Sequence, residues 1–245
     1  SLVGAGGDSF SSLVITENGS NVVNTDGSGG ATAFFLSLDG TTDMSVDFDG
    51  TSGAMSVPIA GLNPATEATW WFEFTPTLAT SKYFVEQHNG SAENLFVYYY
   101  GAGAQYIQIN LLTTDHTTQL NTTLATPLSV GTKYQIAITL GSGVVNLYLD
   151  GVLKDTDTNI GSVDYGTASH YYLASYQGYA VFAGVKFSNM AIFNAPLSAS
   201  DLLELAAAPP TMTPLTTGTA ATSWWKFNDG SGLTVTDTIN SRNGT

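Results

Sequence analysis

The chain has 245 residues, 43% hydrophobic and 11% charged, which is enough apolar material for a sizeable core and far from the polar, highly charged make-up of disordered chains. Six Lys and Arg against 20 Asp and Glu give a net charge of −14, a balance that opposes phosphate backbones and anionic lipid surfaces and argues against nucleic acid as a partner. There is no Cys, so disulfides and thiolate chemistry are excluded. No run approaches the ~18 consecutive apolar residues of a membrane span, and the first residues lack the basic-then-apolar pattern of a signal peptide.

Taken in chain order, the first ~40 residues alternate short apolar runs (Ser12 to Thr16, Ala31 to Leu38) with Gly, Asn and Ser clusters that read as turns. From Met44 the strand signals strengthen: Met44 to Phe48, Ala54 to Ile59, Thr69 to Phe74, Tyr83 to Gln87, Leu95 to Tyr100 and Tyr106 to Leu111. Tyr134 to Leu140, Val144 to Leu149, Tyr171 to Ala174 and Val181 to Phe193 continue the series. Many short strands at this spacing predict a sandwich.

Tyr134, Ile136, Ile138 and Leu140 share one face of their run, while Gln135, Ala137 and Thr139 share the other, which predicts a half-buried strand. Gly141-Ser142-Gly143 and then Asp150-Gly151 supply residues tolerant of positive φ, so a hairpin over Tyr134 to Asp150 and a second tight turn are expected. Between Val185 and Phe187 on one side and Met190 and Ile192 on the other, the apolar phase slips near Ser188-Asn189. A bulge, or burial on both faces, produces that pattern. One short helix is expected, capped by Ser198 with Asp201 three residues on and stopping before Pro209-Pro210.

The ordered set Val46-Asp47-Phe48-Asp49-Gly50-Thr51, Thr69-Trp70-Trp71-Phe72-Glu73-Phe74, Gly131 to Thr139, Val145-Asn146-Leu147-Tyr148-Leu149-Asp150-Gly151 and Phe187 to Ser198 resembles the laminin G-like, concanavalin A-like jelly-roll domain. The likeness covers about residues 44 to 208. It implies an all-β jelly-roll β-sandwich of two antiparallel sheets with one short C-terminal helix. The segment Ser223-Trp224-Trp225-Lys226-Phe227-Asn228-Asp229-Gly230 resembles one that follows or opens such domains in phage and marine bacterial surface proteins. The chain departs from the family pattern at Lys133-Tyr134, where Trp-His is frequent, and at Ser188-Asn189, where an acidic pair is frequent. Three parts are expected: an N-terminal arm with short strands over 1–41, the sandwich over 42–208, and a linker with a C-terminal docking segment over 209–245.

A glucanase on such a fold needs two facing carboxylates ~5 to 5.5 Å apart, whereas Glu73, Glu86 and Glu93 each stand alone in the sequence. With three histidines (His88, His116, His170) and no Gly-x-Ser-x-Gly elbow, a nucleophile triad is not expected either, and no catalytic residue is assigned. Calcium is the metal whose oxygen ligands the chain could supply, from Asp47 and Asp49 flanking Phe48 and from Asp155 and Asp157 in one loop after Asp150-Gly151. The competing reading is solvated turn carboxylates, with no cofactor at all. Clustered tyrosines suggest a glycan face: Tyr98, Tyr100, Tyr176 and Tyr179, with His88 and Asn89 beside them. Core packing or a protein–protein interface uses tyrosine too.

The leading expectation is a non-enzymatic structural or attachment (adhesin-like) component of a virion or cell-surface assembly. It would sit on a virion or extracellular surface, homo-oligomeric and bound to other subunits, with no membrane insertion. The alternative is a carbohydrate-binding, lectin-like module recognising a surface glycan.

Overall fold

The computed structural model describes residues 20–23, 35–38, 45–51, 53–58, 66–78, 82–88, 93–100, 106–112, 117–123, 128–158, 160–164, 168–176, 183–207, 215–229 and 234–245. Nine strands form the larger sheet: β1 (Ser20–Val23), β2 (Phe35–Leu38), β3 (Val46–Asp49), β5 (Ala68–Pro76), β10 (Tyr134–Gly141), β11 (Val144–Leu149), β12 (Val152–Thr158), β14 (Gly184–Phe193) and β15 (Ser223–Trp225). Six form the smaller one: β4 (Met55–Pro58), β6 (Lys82–His88), β7 (Glu93–Tyr100), β8 (Tyr106–Leu112), β9 (Thr117–Thr123) and β13 (His170–Leu173). A helix, α1 (Ala199–Ala207), follows β14. Pairing is antiparallel throughout, in the orders β1-β2-β3-β14-β5-β10-β11-β12 and β4-β13-β6-β7-β8-β9. Among the described residues, the fold is the expected two-sheet sandwich with one helix.

The two turns read from the sequence are present. Gly141 pairs with Val144 and Leu149 with Val152, leaving two-residue loops at Ser142-Gly143 and Asp150-Gly151. All four loop residues have positive φ (52° and 72°, then 51° and 72°), the backbone shape whose twist matches that of the flanking strands. Asp150 also ties this turn to β10, since its carboxylate accepts from the Gln135 amide at 2.8 Å.

The phase slip in β14 is a bulge. Its pairing to β5 shifts between Phe187 and Asn189, leaving Ser188 as the extra residue. Val185, Phe187, Met190 and Ile192 therefore all face the space between the sheets, and Ala191 and Phe193 face the other way. On its far edge β14 takes β3 along Gly184 to Phe187 and β15 along Met190 to Ile192, so β3 and β15 lie end to end on either side of the bulge.

The inter-sheet core is built on Phe48, Trp70, Phe72, Phe74, Phe84, Tyr99, Tyr171, Phe187 and Trp225, all nearly inaccessible to solvent. A second core covers the outer face of the larger sheet, where Trp71, Ala137, Ala191, Phe193 and Trp224 meet Leu197, Leu202, Leu205 and Leu215. This corrects the reading of the Tyr134 run as half-buried: β10 is buried on both faces because α1 and the chain after it lie across it. Removing the second layer would expose side chains whose burial stabilises by about 1.5–3 kcal/mol each.

The helix starts as expected. The Ser198 hydroxyl accepts from the Asp201 amide at 3.2 Å, and the Asp201 carboxylate accepts from the Ser198 amide at 2.9 Å. Burial pushes the Asp201 carboxyl up, but hydrogen bonds from Thr217 and Ser198 outweigh it and hold the group below its ordinary range.

Both flanks join the sandwich, across the boundaries drawn at 42 and 208. β1 and β2 extend the larger sheet, the Ser12 to Thr16 run lying outside the described residues. The described residues of the C-terminal segment pack against the sandwich. Trp225 is fully buried and donates to the Arg242 carbonyl at 2.7 Å, while Thr245 exchanges backbone hydrogen bonds of 2.8 and 2.9 Å with Ser56 of β4. Residues 223–245 thus touch both sheets, and the physical reason is the pair of adjacent tryptophans, one entering each core.

Candidate functional site

Alternation fixes which residues leave the inter-sheet core through the smaller sheet. In β8, Ile107, Ile109 and Leu111 point inward, which sends Gln108 and Asn110 outward. In β7, Leu95, Val97 and Tyr99 point inward and Tyr98, in register with Gln108, points outward. In β13, Tyr171 and Leu173 are core residues, and His170 and Tyr172 are half-exposed on the outer face.

The neighbouring β6 breaks strict alternation. Its pairing with β7 shifts between Tyr83 and Val85, so Phe84 and Val85 both reach the core, with Phe84 4.7 Å from Phe74 between ring centroids. The extra residue keeps Tyr83 on the outer face opposite Tyr98. Their rings meet edge to face at 4.6 Å and 78°. Tyr176 closes on the other side of Tyr83 at 5.0 Å and 46°. It arrives there because Ala174 takes a positive φ of 60°, with its amide donating to Phe84 O at 2.8 Å and its carbonyl accepting from Ala183 N at 2.7 Å.

The result is a half-exposed tyrosine trio, Tyr83, Tyr98 and Tyr176, with amides next to it: Gln108 Nε2 donates to Asn110 Oδ1 at 3.5 Å. Tyr172 and His170 lie further along the face, 6.3 Å apart between ring centroids, and His170 Nδ1 is 2.8 Å from the Ser169 hydroxyl. Glu86, in register with Tyr172, is completely buried within this sheet. Rings for apolar contact beside amides for hydroxyls are the chemistry of saccharide recognition.

Of the residues expected there, the structure brings Tyr98 and Tyr176 together through Tyr83. Tyr100 lies on β7 and His88 on β6, while Asn89 and Tyr179 fall outside the described residues. Tyr83 and Gln108 were not among the candidates read from the sequence. The bulge that aims Tyr83 leaves no mark because Tyr83, Phe84 and Val85 around it are all apolar or amphipathic.

The acidic candidates do not converge. Asp47 and Asp49 lie on β3, and Asp155 and Asp157 on β12, five strand spacings or about 24 Å across the same sheet. Asp155 and Asp157 were expected in a loop but belong to strand β12, where each carboxylate accepts from the amide of the following residue at 2.9 and 2.8 Å. Asp49 accepts from the Thr51 amide at 2.7 Å, and Asp47 pairs with Lys186 at 3.7 Å. Burial raises the Asp47 carboxyl to about 6 against the opposing pull of Lys186. Among the described residues, no three His, Cys, Asp or Glu side chains gather in a metal-holding group.

Glu73 and Glu86 lie on different sheets, so they do not face one cleft. Glu73 faces the second core, where it accepts from Gln135 at 3.0 Å and Asn189 at 3.1 Å and pairs with Lys133 at 3.3 Å. Gln135 also donates to Leu205 O at 3.2 Å, and Asn189 accepts from Trp224 Nε1 at 3.0 Å. This is a polar row across β10, β5 and β14 that fastens α1 and β15 to the sheet. A shallow cavity of about 400 Å³ lies at the β10–β11 turn, lined by Thr66, Glu67, Leu140, Ser142, Gly143 and Ile160 among others, with no ring in its wall.

A family model described as the concanavalin A-like lectin/glucanases superfamily matches residues 49–203. None of the curated proteins is a match to the sequence. Among solved structures, the carbohydrate-binding domain (CBM40) of Ruminococcus gnavus IT-sialidase, bound to α2,6 sialyllactose, is similar at 16% identity. The match covers 66% of this chain and 96% of that one with a TM-score of 0.54. The heptameric SAP-like pentraxin of Limulus polyphemus is similar at 12% identity over 68% of this chain and 82% of that one, TM-score 0.51. A Trypanosoma rangeli sialidase in complex with the inhibitor DANA matches 80% of this chain at 14% identity but 34% of its own length, TM-score 0.51.

Proposed function

The chain belongs to the concanavalin A-like lectin/glucanases superfamily, and from that premise we propose that it is a non-enzymatic attachment module that binds a surface glycan through the outer face of its smaller sheet. The observation that carries this is the half-exposed trio Tyr83, Tyr98 and Tyr176, held by two backbone irregularities and set beside Gln108 and Asn110. Each of the three rings keeps part of its surface open to solvent on that face while packing against its neighbour in the trio. The carbohydrate-binding domain and the pentraxin among its structural neighbours support the reading, as proteins of this fold that bind sialyllactose or assemble as a heptamer.

The wider reading places the module on a virion or extracellular surface, bound to copies of itself or to other subunits. The sparse charge and strongly acidic balance of the chain support a solvent-facing protein with no nucleic-acid role. The separation of Glu73 from Glu86 supports the non-enzymatic part, since retaining glycoside hydrolysis needs two carboxyls about 5–5.5 Å apart. A glycan array probed with the whole chain tests the proposal. A saccharide hit lost in Tyr98→Ala, with the variant melting as a folded protein, supports it. An array blank for the folded wild type rejects it.

A further inference from the structure

We infer that the saccharide taken by this face is a neutral one, and that sialylated and other anionic sugars are excluded. The inference rests on the glycan-binding reading above and assigns its ligand class. Recognition of a sugar carboxylate or sulfate calls for Arg or Lys at the site, because an anion moved out of water needs a cationic or strong donor partner. This chain has six Lys and Arg in all, and five lie away from this face. Lys133 pairs with Glu73, Lys186 with Asp47, and Arg242 with Asp237, the last two at 3.7 and 3.8 Å. Lys226 sits 5.0 Å from the centroid of the Trp224 ring, and Lys154 is exposed on β12 at the edge of the larger sheet. Arg242, the one arginine in the sequence, also donates to the Ser223 hydroxyl at 2.9 Å, on β15. Lys82, at the start of β6 in register with Tyr99, is the one cation on the smaller sheet.

Against this stand the charge of the chain and the groups at the face itself. The chain as a whole carries −14, which repels an approaching anion. Apart from Lys82 on β6 and the His170 ring on β13, the face offers a ligand ring surface and the Asn110 amide, with Gln108 buried beside it, and these suit hydroxyls and not anions.

The experiment is calorimetric titration of the whole chain with matched pairs of one oligosaccharide with and without terminal sialic acid, such as lactose-based tetrasaccharides, at low and moderate salt. Neutral members are expected to bind at least about tenfold tighter, with the gap narrowing as salt screens the repulsion. Equal or tighter binding of the sialylated member overturns the inference, and its loss in Lys82→Ala would identify the cation responsible. Absence of binding to every saccharide overturns the glycan-binding reading itself, so the two failures differ.

Discussion

Trp70 and Tyr171 are hydrogen-bonded across the sandwich: the indole Nε1 of β5 donates to the phenol oxygen of β13 at 2.7 Å, and both side chains are fully buried. Burial pushes the Tyr171 hydroxyl far above its ordinary range, so it stays protonated and can accept from Trp70 at any pH the protein survives. This bond joins the two sheets. In Tyr171→Phe the indole N–H is left buried and without an acceptor, a loss of about 1–3 kcal/mol. A urea melt is expected to show the midpoint lowered with an unchanged slope. An unchanged midpoint would mean that another acceptor serves Trp70.

Gln87 lies in the same core. It pairs in register with Tyr171 and Leu95, is wholly inaccessible, and has both amide atoms without a hydrogen-bond partner among the described residues. Met has nearly the same volume and no such groups to desolvate. Gln87→Met is therefore expected to stabilise the protein by about 1–2 kcal/mol in the same denaturation assay. A destabilised variant would show that the amide is satisfied in solution.

The C-terminal segment is predicted to be part of the folding unit. Trp225 is fully buried beside β14, and Trp→Ala changes in cores cost about 3–5 kcal/mol. Trp225→Ala should lower the thermal midpoint by several degrees, in a single transition. A separate early transition with the main melt unmoved would make residues 223–245 an independent piece.

Asp47 sets a pH dependence. Its folded carboxyl titrates near about 6, raised from 3.8 chiefly by burial with Lys186 opposing. The folded state thus holds that proton more tightly than the unfolded chain does. The contribution to stability is fully present below about pH 4 and is lost as pH rises through about 6. Solvent reaches part of the group, so its size is about 1 kcal/mol. Asp47→Asn should flatten the stability profile between those two pH values, and an unaltered slope would assign the titration to another group.

Much of the fold was legible in the sequence because local chemistry dictates it. Ser142-Gly143 and Asp150-Gly151 are two-residue turns, Ser198 with Asp201 makes a cap, and the change of parity from Phe187 to Met190 is a bulge at Ser188. What was not legible depends on distant contacts. Gln135, Ala137 and Thr139 look like a solvent face until α1 and Trp224 cover them. The Thr-rich β9 and the acidic β12 carry almost no hydrophobic alternation, yet they hydrogen-bond as strands beside β8 and β11. Tyr98 and Tyr176 were identified as a pair of candidates, but Tyr83, the ring that joins them, is aimed by a bulge at Phe84 whose apolar surroundings conceal the change of phase.

The most direct test of the central claim is where a bound saccharide lies. Backbone amide shifts of the labelled chain, followed during titration with the tightest array ligand, should move in β6, β7, β8 and β13 around Tyr83, Tyr98 and Tyr176. Those of β10, β11 and α1 should stay fixed. Shifts concentrated at the β10–β11 turn beside Ser142 and Gly143, or none at saturating sugar, would contradict the account.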